Sequence, residues 1–584
     1  MWNFQGRKRS WHSLSGFVPP TAYLGLVIAR LVANNFRSLE SVVIDFDPGF
    51  NVLVGANGAG KSAALRAIDV VCGMSWPTLR SLNVPQDWTR FDDQQDLLLR
   101  VRFSTPLTHK DKAGQVHQVL GLQVTCRPYK RRTKDALPGD PNFDFQPYGM
   151  AGPDKPIMVA TERPQPGKKL QMAPLTGVPS ELREQGRVLF IDHRRSLFQH
   201  QPWSRGSILV RLLAPARREL DQVEISPGVS HGVAFRKQYQ VAIEALRTPR
   251  VQQIEELVSE TARRTLGFMG ANTVDNLQVG FGFADPSNPL GSLRLVYRER
   301  GLELPAEELG LGVQSAIVVG IFEAFRELAG DFGTVLIEEP EMYLHPQAQR
   351  YFYGLLGDLA DSGACQVICT THSPIFPDVG RFEGIRLVRR APGASTSVAA
   401  ITDELDLDWL RQRRDAQKLV VLSAARSEAF FAQRVLLVEG PGDVLAVRML
   451  AETLGHNLDA EDRAVIECGG KSGVAFVGRI CKALAIPVLA LHDLDVYGSP
   501  DGEALSARQE EENARELALN GEIASIFDER DRFIIDPSLE GVLGIGRNAR
   551  DKPRRIAEEL SVLTAQQYPA AIREAIQALL APSA

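Results

Sequence analysis

The chain predicts a multidomain α/β protein, on three observations. Its 584 residues exceed what a single hydrophobic core serves. A glycine-rich turn, Gly55-Ala56-Asn57-Gly58-Ala59-Gly60-Lys61-Ser62, joins a short apolar strand to a helix. The C-terminal part alternates apolar strands with helical stretches. That pattern implies a mainly parallel sheet with helices on both faces.

Composition narrows the class. Hydrophobic residues at 44% and charged residues at 23% are ordinary for a globular protein. The formal net charge of -5 supplies no global basic field, so a nucleic-acid partner must meet a local basic surface. Cys72, Cys126, Cys365, Cys369, Cys468 and Cys481 are scattered without paired metal-ligand spacing. They read as buried free thiols in a reducing cytoplasm. No apolar run is long enough for a membrane span. Residues 1–23 are basic and aromatic, lack a signal-peptide apolar core, and read as a disordered leader.

Along the chain, strands are expected at Leu26–Leu31, Val42–Phe46 and Asn51–Val54, followed by a helix from Lys61. Residues 135–179 are rich in Pro and Gly and read as an exposed loop. From Ile208 to Leu266 apolar residues recur at helical spacing, which gives a helical insert at 201–270 between α/β segments at 24–200 and 271–400. A polar helical connector follows at 401–430. The final segment, 431–584, holds the strands Val435–Val438, Val465–Glu467, Val488–Leu491 and Phe533–Ile535.

The glycine-rich turn has the complete P-loop spacing. Gly55, Asn57, Gly58 and Gly60 let backbone N–H groups curl around phosphates, Lys61 reaches the β/γ-phosphates, and Ser62 holds Mg²⁺. The buried strand Thr334–Ile337 ends in Glu338 and Glu339. Glu338 is placed for the magnesium shell and Glu339 for polarising the attacking water. His372, at the end of the next strand, is placed to contact the γ-phosphate.

Two further strands end in acids. Val435–Val438 runs into Glu439 and Asp443, and Val488–Leu491 into Asp493 and Asp495. Strand ends of a parallel sheet share one crevice. Carboxylates converging there repel one another unless hard divalent cations lie between them. Such a centre suits phosphodiester chemistry.

Asn35-Phe36-Arg37-Ser38-Leu39 resembles the N-terminal strand entry of the ABC-type ATPases of the RecF/SMC/OLD group. Glu341-Met342-Tyr343-Leu344-His345-Pro346 resembles their segment after the catalytic Glu, and Leu309–Ser315 falls where their signature loop does. The resemblance implies an ABC-type P-loop ATPase head in which ATP and one Mg²⁺ lie between two heads. It also implies a helical dimerisation insert and a homodimer or higher homo-oligomer.

Glu439 with Asp493 and Asp495 resembles the Toprim domain shared by topoisomerases, primases and OLD-family nucleases. Asp443, Glu540 in Ile535–Glu540, and Lys552 in Asp551-Lys552-Pro553 resemble the OLD nucleases in particular. This implies that Glu439, Asp443, Asp493, Asp495 and Glu540 hold two Mg²⁺ (or Mn²⁺), with Lys552 as the active-site lysine. The implied protein is an ATP-regulated, metal-dependent DNA endonuclease with Glu339, Asp493, Asp495 and Lys552 as catalytic residues. The class includes the nuclease subunit of the Gabija anti-phage system, often encoded with a UvrD-like helicase. That implies phage defence or DNA processing, and such a helicase as a partner.

Basic stretches at Lys130–Lys134, Lys168-Lys169 and Arg194-Arg195 offer phosphate contacts as well as solvated faces. Cys468-Gly469-Gly470-Lys471-Ser472-Gly473 lacks full P-loop spacing and reads as a strand-to-helix turn beside the metal crevice. Two alternatives stay open. One is a RecF-like ATP-gated DNA-binding clamp with a non-catalytic Toprim domain. The other is a topoisomerase, for which Tyr497 offers no convincing catalytic context.

Overall fold

The computed structural model describes most of the chain between Val27 and Ala581. Outside the described residues lie 1–26, 74–76, 78–81, 129–140, 166–167, 187, 193–208, 210–212, 214–215, 217–218, 221, 247–295, 300–301, 311–313, 315–316, 319, 322–332, 364, 391–392, 414–423, 497, 499–504, 547–550 and 582–584. The chain divides into two compact units, 1–191 with 331–341 and 349–584, and 192–330 with 342–348.

The larger unit begins with a five-stranded antiparallel sheet. Its strands are β1 (Ile28–Phe36) and β2 (Leu39–Asp45), then β4 (Leu97–Lys110), β5 (Val116–Pro128) and β6 (Pro141–Gly149), in the order β2-β1-β4-β5-β6. Between β2 and β4 come β3 (Phe50–Val54) and the helix α1 (Lys61–Cys72). Alternate residues Leu31, Ala33, Leu99, Val101, Leu122 and Val124 are buried and share a core with α1. This period of two is what an antiparallel sheet covered on one face requires.

A six-stranded sheet follows. It contains β7 (Val188–Ile191), β8 (Thr334–Glu338), β9 (Gln366–Thr370), β10 (Ile385–Arg389) and β11 (Ser397–Ala399), in the order β11-β10-β3-β9-β8-β7. All pairs are parallel except β10 with β11. β3, β8 and β9 are buried along their whole lengths, as central strands covered on both faces are. Because they run parallel, their C-terminal ends deliver Gly55, Glu339 and His372 to one edge.

Gln366, completely buried at the start of β9, ties the two sheets together. Its amide NH₂ donates to the carbonyls of Ile28 and Asp47, each at 2.8 Å. Its carbonyl accepts from the Ile28 N–H and the Thr334 hydroxyl, again at 2.8 Å. All four hydrogen-bonding positions of the amide are therefore used.

The C-terminal sheet contains β12 (Arg434–Val438), β13 (Arg463–Glu467), β14 (Val488–Asp493) and β15 (Arg532–Ile535), in the order β13-β12-β14-β15 and wholly parallel. The helices α2 (Pro441–Thr453), α5 (Lys552–Ser561) and α6 (Ala570–Leu580) share a core with Leu436, Val438, Leu489 and Leu491. The helix α3 (Lys471–Ala483) lies close enough to β12 that a Cβ at Gly478 would sit 3.6 Å from Leu437. The helix α4 (Ala507–Ile526) fills the crossover between β14 and β15.

The loop expected at 135–179 is a correction. Residues 141–149 form β6, the edge strand of the first sheet, with Phe145 and Tyr148 buried. Two prolines, Pro141 at its start and Pro147 within it, masked the alternation in the sequence. An edge position tolerates them because one row of N–H groups has no partner strand. The connector at 401–430 contains a helix, Glu404–Arg413, and a 3-10 turn, Ala424–Phe430, that is partly buried.

Within the smaller unit, the hairpin Glu224–Ser226/Val229–Ser230 leads into the helix His231–Leu246. A second hairpin pairs Val296–Glu299 with Leu302–Pro305. The leader, Lys130–Lys134, Arg194-Arg195 and Tyr497 lie outside the described residues.

Replacing Gln366 with Leu keeps the volume but takes away its bonds to the Ile28 amide and to the Ile28 and Asp47 carbonyls. The expected loss is roughly 2–4 kcal/mol. A clear fall in the thermal midpoint checks this, and an unchanged midpoint would contradict the tie.

Candidate nucleotide site and metal centre

At the edge of the six-stranded sheet, β3 runs straight into the glycine-rich turn. Gly55 has φ +140°, and a Cβ there would lie 2.0 Å from the Val388 carbonyl oxygen. Gly60 has φ +116°, and its Cβ would lie 2.8 Å from both Ser38 Oγ and Thr396 Oγ1. Only glycine fits either position. Beside Asn57, Gly58 has φ +73° and open space around its missing Cβ. Lys61 opens α1 together with Ser62. Lys61 Nζ curls back to donate to the carbonyls of Gly55 at 2.7 Å and Ala56 at 3.0 Å. Burial lowers its pKa to about 8, against the opposing charges of Glu339 and Glu341.

Glu338 is buried at the end of β8. Glu339 sits in the left-handed region at φ 47°, and its N–H donates to the Thr370 carbonyl at 3.0 Å. That turn aims its carboxylate at His372, with Nε2 3.9 Å from Oε1. Burial lowers the His372 pKa, Lys61 adding to the effect, so the ring is held neutral. Glu341 is a residue the sequence reading left without a role. Its Oε1 accepts from the N–H groups of His372 at 2.6 Å and Ser373 at 3.2 Å, clamping the turn that carries His372.

The parallel C-terminal sheet builds the second centre by the same rule. Glu439 follows β12, and Asp493 ends the neighbouring parallel strand β14, in which Leu491 pairs with Val438. Glu439, Asp493 and Asp495 each present a carboxylate oxygen, all within 4.8 Å of one another. The Asp493 N–H donates to Glu439 Oε1 at 2.8 Å, and the Leu539 N–H donates to Asp493 Oδ1 at 3.0 Å. Asp495 occupies the left-handed region at φ 54°, held there as its N–H donates to the Pro537 carbonyl at 2.8 Å.

Asp443 and Glu540 stand outside that trio. Asp443 is the N3 residue of α2, and its Oδ2 accepts from the Gly440 N–H at 2.9 Å, so it does cap the helix. It is also close enough to raise the Asp493 pKa. Glu540 raises the Asp443 pKa in turn, and its Oε1 lies 2.8 Å from Lys552 Nζ. Lys552, 38% exposed, is thus the solvent-facing cation of this group.

Burial is the first cause of every acid shift here. Asp493 is pushed up to about 9 by burial and then by Asp443, Glu439 and Asp495. Glu439 is pushed up to about 7 and Asp443 to about 6. The donor set is all hard oxygen, and the acids resist ionising beside one another. Both facts fit a divalent cation of the Mg²⁺ or Mn²⁺ kind. Lys471 and Glu516 join the centre as residues the sequence reading gave no site role. The Gly-Gly-Lys turn was a signal for the first, and Glu516 had none.

The architecture is that of a P-loop ATPase joined to a Toprim-type acidic centre, and sequence comparison places it further. Residues 430–495 match the family described as "Overcoming lysogenization defect protein-like, TOPRIM domain". Residues 228–376 match "AAA ATPase domain" and residues 30–92 match "AAA domain". The chain is 44% identical to the OLD nuclease of Thermus scotoductus over 556 residues, 95% of this chain and 98% of that one. It is 24% identical to the Old nuclease of Escherichia phage P2 over 236 residues, 37% of this chain and 40% of that one. A solved Smc head domain from Pyrococcus furiosus aligns over 67% of this chain and 100% of its own, with TM-score 0.37 and 15% identity. The chain belongs to the OLD nuclease family and is a nuclease carrying an ATPase domain.

The raised acid pKa values have a consequence for stability. The folded chain holds protons that the unfolded chain, with ordinary carboxylates near ~4, has released. Without divalent ions, the contribution of Glu439 and Asp493 is therefore present at low pH and lost as pH rises through about 7 and about 9. In chelator the thermal midpoint should fall between pH 7 and 9, and Mg²⁺ should raise it more at pH 9 than at pH 7. Melts across that range check this. A midpoint indifferent to both pH and Mg²⁺ would refute it.

Proposed function

We propose that the chain is a divalent-metal-dependent DNA endonuclease whose cutting centre answers to ATP. The observation that carries this is the meeting of Glu439, Asp493 and Asp495 oxygens within 4.8 Å, in the same compact unit as the P-loop. Glu439, Asp493 and Asp495 would hold one divalent ion, and Asp443 with Glu540 would help hold a second. Ions so held activate water and neutralise charge on a phosphodiester. Asp493 is fixed for that task by the Leu539 N–H, which leaves its second oxygen to the centre. Lys552 pairs with Glu540 alone among the described contacts, so its ammonium keeps donors for the departing 3′-oxygen.

At the other end, Lys61 would exchange its loop carbonyls for nucleotide phosphates, and Ser62 and Glu338 would serve the accompanying Mg²⁺. Glu339 would polarise water toward the γ-phosphate, with the neutral His372 beside it as sensor. Two heads would meet as a homodimer. Phage defence, and a UvrD-like helicase as partner, are consistent with the family and remain part of this reading.

A continuous set of contacts joins the centres. The turn carrying His372 runs on to Pro377, whose carbonyl accepts from the Ser427 hydroxyl at 2.7 Å. Arg426 Nε donates to the Glu467 carbonyl at 2.7 Å, at the end of β13. Three residues later the Gly470 N–H donates to the Glu439 carbonyl at 2.9 Å. Displacement of the His372 turn by nucleotide would reach the Glu439 backbone through this strap.

Incubating plasmid with the protein and Mg²⁺ or Mn²⁺ tests the cutting centre. Glu439→Ala and Asp493→Ala should lose cleavage by roughly 100-fold or more while ATP turnover survives. Equal activity in wild type and both variants would end the proposal. Lys61→Ala should lose ATP turnover and with it any ATP effect on cleavage.

Arg426→Ala tests the strap separately. It should keep ATP turnover within about threefold of wild type and flatten the response of cleavage to ATP, a coupling of typical size being 5- to 150-fold. An undiminished ATP response would show that the strap carries nothing.

A further inference from the structure

Lys471 is the most deeply buried cation of the nuclease centre, its side chain 2% exposed. It opens α3 directly after the Gly469-Gly470 turn. Its ammonium meets three oxygens: Asp495 Oδ2 at 3.0 Å, Glu516 Oε2 at 2.6 Å and the Leu494 carbonyl at 3.4 Å. An ammonium has three N–H donors, so these acceptors saturate it. A saturated, buried lysine has nothing left to offer a substrate phosphate. Lys552 differs on both counts, being 38% exposed and paired with one carboxylate.

Saturation makes the partners of Lys471 the informative part. Asp495 belongs to the trio of carboxylates within 4.8 Å. One of its oxygens is held by Lys471, so its orientation toward Glu439 and Asp493 is fixed from behind. Glu516 lies on α4, and one turn further Asn520 Nδ2 donates to the Leu494 carbonyl at 2.9 Å. The helix α4 thus reaches the segment between Asp493 and Asp495 directly through Asn520 and, by way of Lys471, through Glu516, two side chains at i and i+4 spacing. Lys471 holds Asp495 itself, Glu516 seats Lys471, and Asn520 holds the backbone one residue before Asp495.

We propose that Lys471, seated by Glu516 of α4, is a positioning residue of the nuclease centre that fixes Asp495 for productive metal binding. The proposal rests on the nuclease reading above and deepens it. Its fixed positive charge also opposes cation binding by the acids around it. Positioning and charge therefore act in opposite directions, and the two separate experimentally. Removing the lysine takes a positive charge from an acidic cluster, which favours divalent binding. It also frees Asp495 to turn, which disfavours catalysis. Losing an outer partner of a metal ligand commonly costs 10- to 100-fold.

The test uses full-length Lys471→Met, Lys471→Arg and Glu516→Gln. Bound Mn²⁺ is measured directly from the electron paramagnetic resonance signal of the free ion, plasmid cleavage is followed against Mn²⁺, and ATP turnover reports folding. Lys471→Met should bind Mn²⁺ at least as tightly as wild type, yet cleave roughly 10- to 100-fold more slowly at saturating Mn²⁺. Lys471→Arg should recover part of that rate, and Glu516→Gln should show a smaller loss.

The proposal is overturned if Lys471→Met cleaves at the wild-type rate, or if saturating Mn²⁺ restores that rate. Weaker Mn²⁺ binding by Lys471→Met overturns it as well. Should Lys471→Met fail to fold, Glu516→Gln cleaving as wild type overturns it. A wild-type protein that does not cut counts against the nuclease reading itself. In that case weaker Mn²⁺ binding by Lys471→Met still overturns the proposal.

Discussion

Carboxylates removed from water and pressed together resist ionising, and the C-terminal half of the fold is arranged around that fact. Glu439 and Asp493 are brought together at the ends of two neighbouring parallel strands, and the Asp493 N–H holds the Glu439 carboxylate there. The positions of the backbone donors follow from this. N–H groups of Asp493, Leu539 and Gly440 each donate to one acid of the cluster. These bonds favour the charged forms, but burial outweighs them, since all three acids remain shifted upward. A centre left in that state is poised to exchange protons for a divalent ion.

The ATPase end obeys the opposite version of the same constraint. There a buried cation, Lys61, is depressed by burial, while Glu339 and Glu341 oppose the shift. Its ammonium uses two carbonyls of its own loop, as the acids of the other centre use backbone N–H groups. Both centres sit at C-terminal edges of parallel strands, where side chains from separate strands converge. The Ser427 and Arg426 contacts between them go to backbone carbonyls, so the proposed coupling would act on backbone position and not on side-chain charge.

What the sequence disclosed divides along physical lines. P-loop glycines, strand-end acids and the alternation of strand and helix are local, and each could be read in a short window. The shape of Gly55 and Gly60, with φ values closed to other residues, is implicit in the spacing itself. Long-range pairings were not legible. Gln366 bonds to Ile28 across 338 residues, Ser427 to Pro377 across 50, and Lys471 to Glu516 across 45. No spacing rule specifies such partners, because they depend on how separate elements stack. The strand at 141–149 was missed for a different reason. Its prolines are incompatible with a central strand but harmless on an edge, and the sequence does not say which it is. Asp443 shows the converse difficulty, where capping and acid-cluster readings of one residue hold together.

Charge balance distinguishes the two lysines of the nuclease centre. Glu439, Asp443, Asp493, Asp495, Glu516 and Glu540 face Lys471 and Lys552, so acids outnumber ammonium groups heavily. A buried, saturated ammonium is fixed in number and place: Lys471 pairs with Asp495 and Glu516 and pulls the Glu439 pKa down as well. The Glu439–Asp493–Asp443 side keeps its excess charge, and there the upward shifts are concentrated. A divalent ion shared by Glu439, Asp493 and Asp495 would offset that excess. Lys552, more exposed and bound to Glu540 alone among the described contacts, stands at the rim, where a phosphodiester chain would arrive.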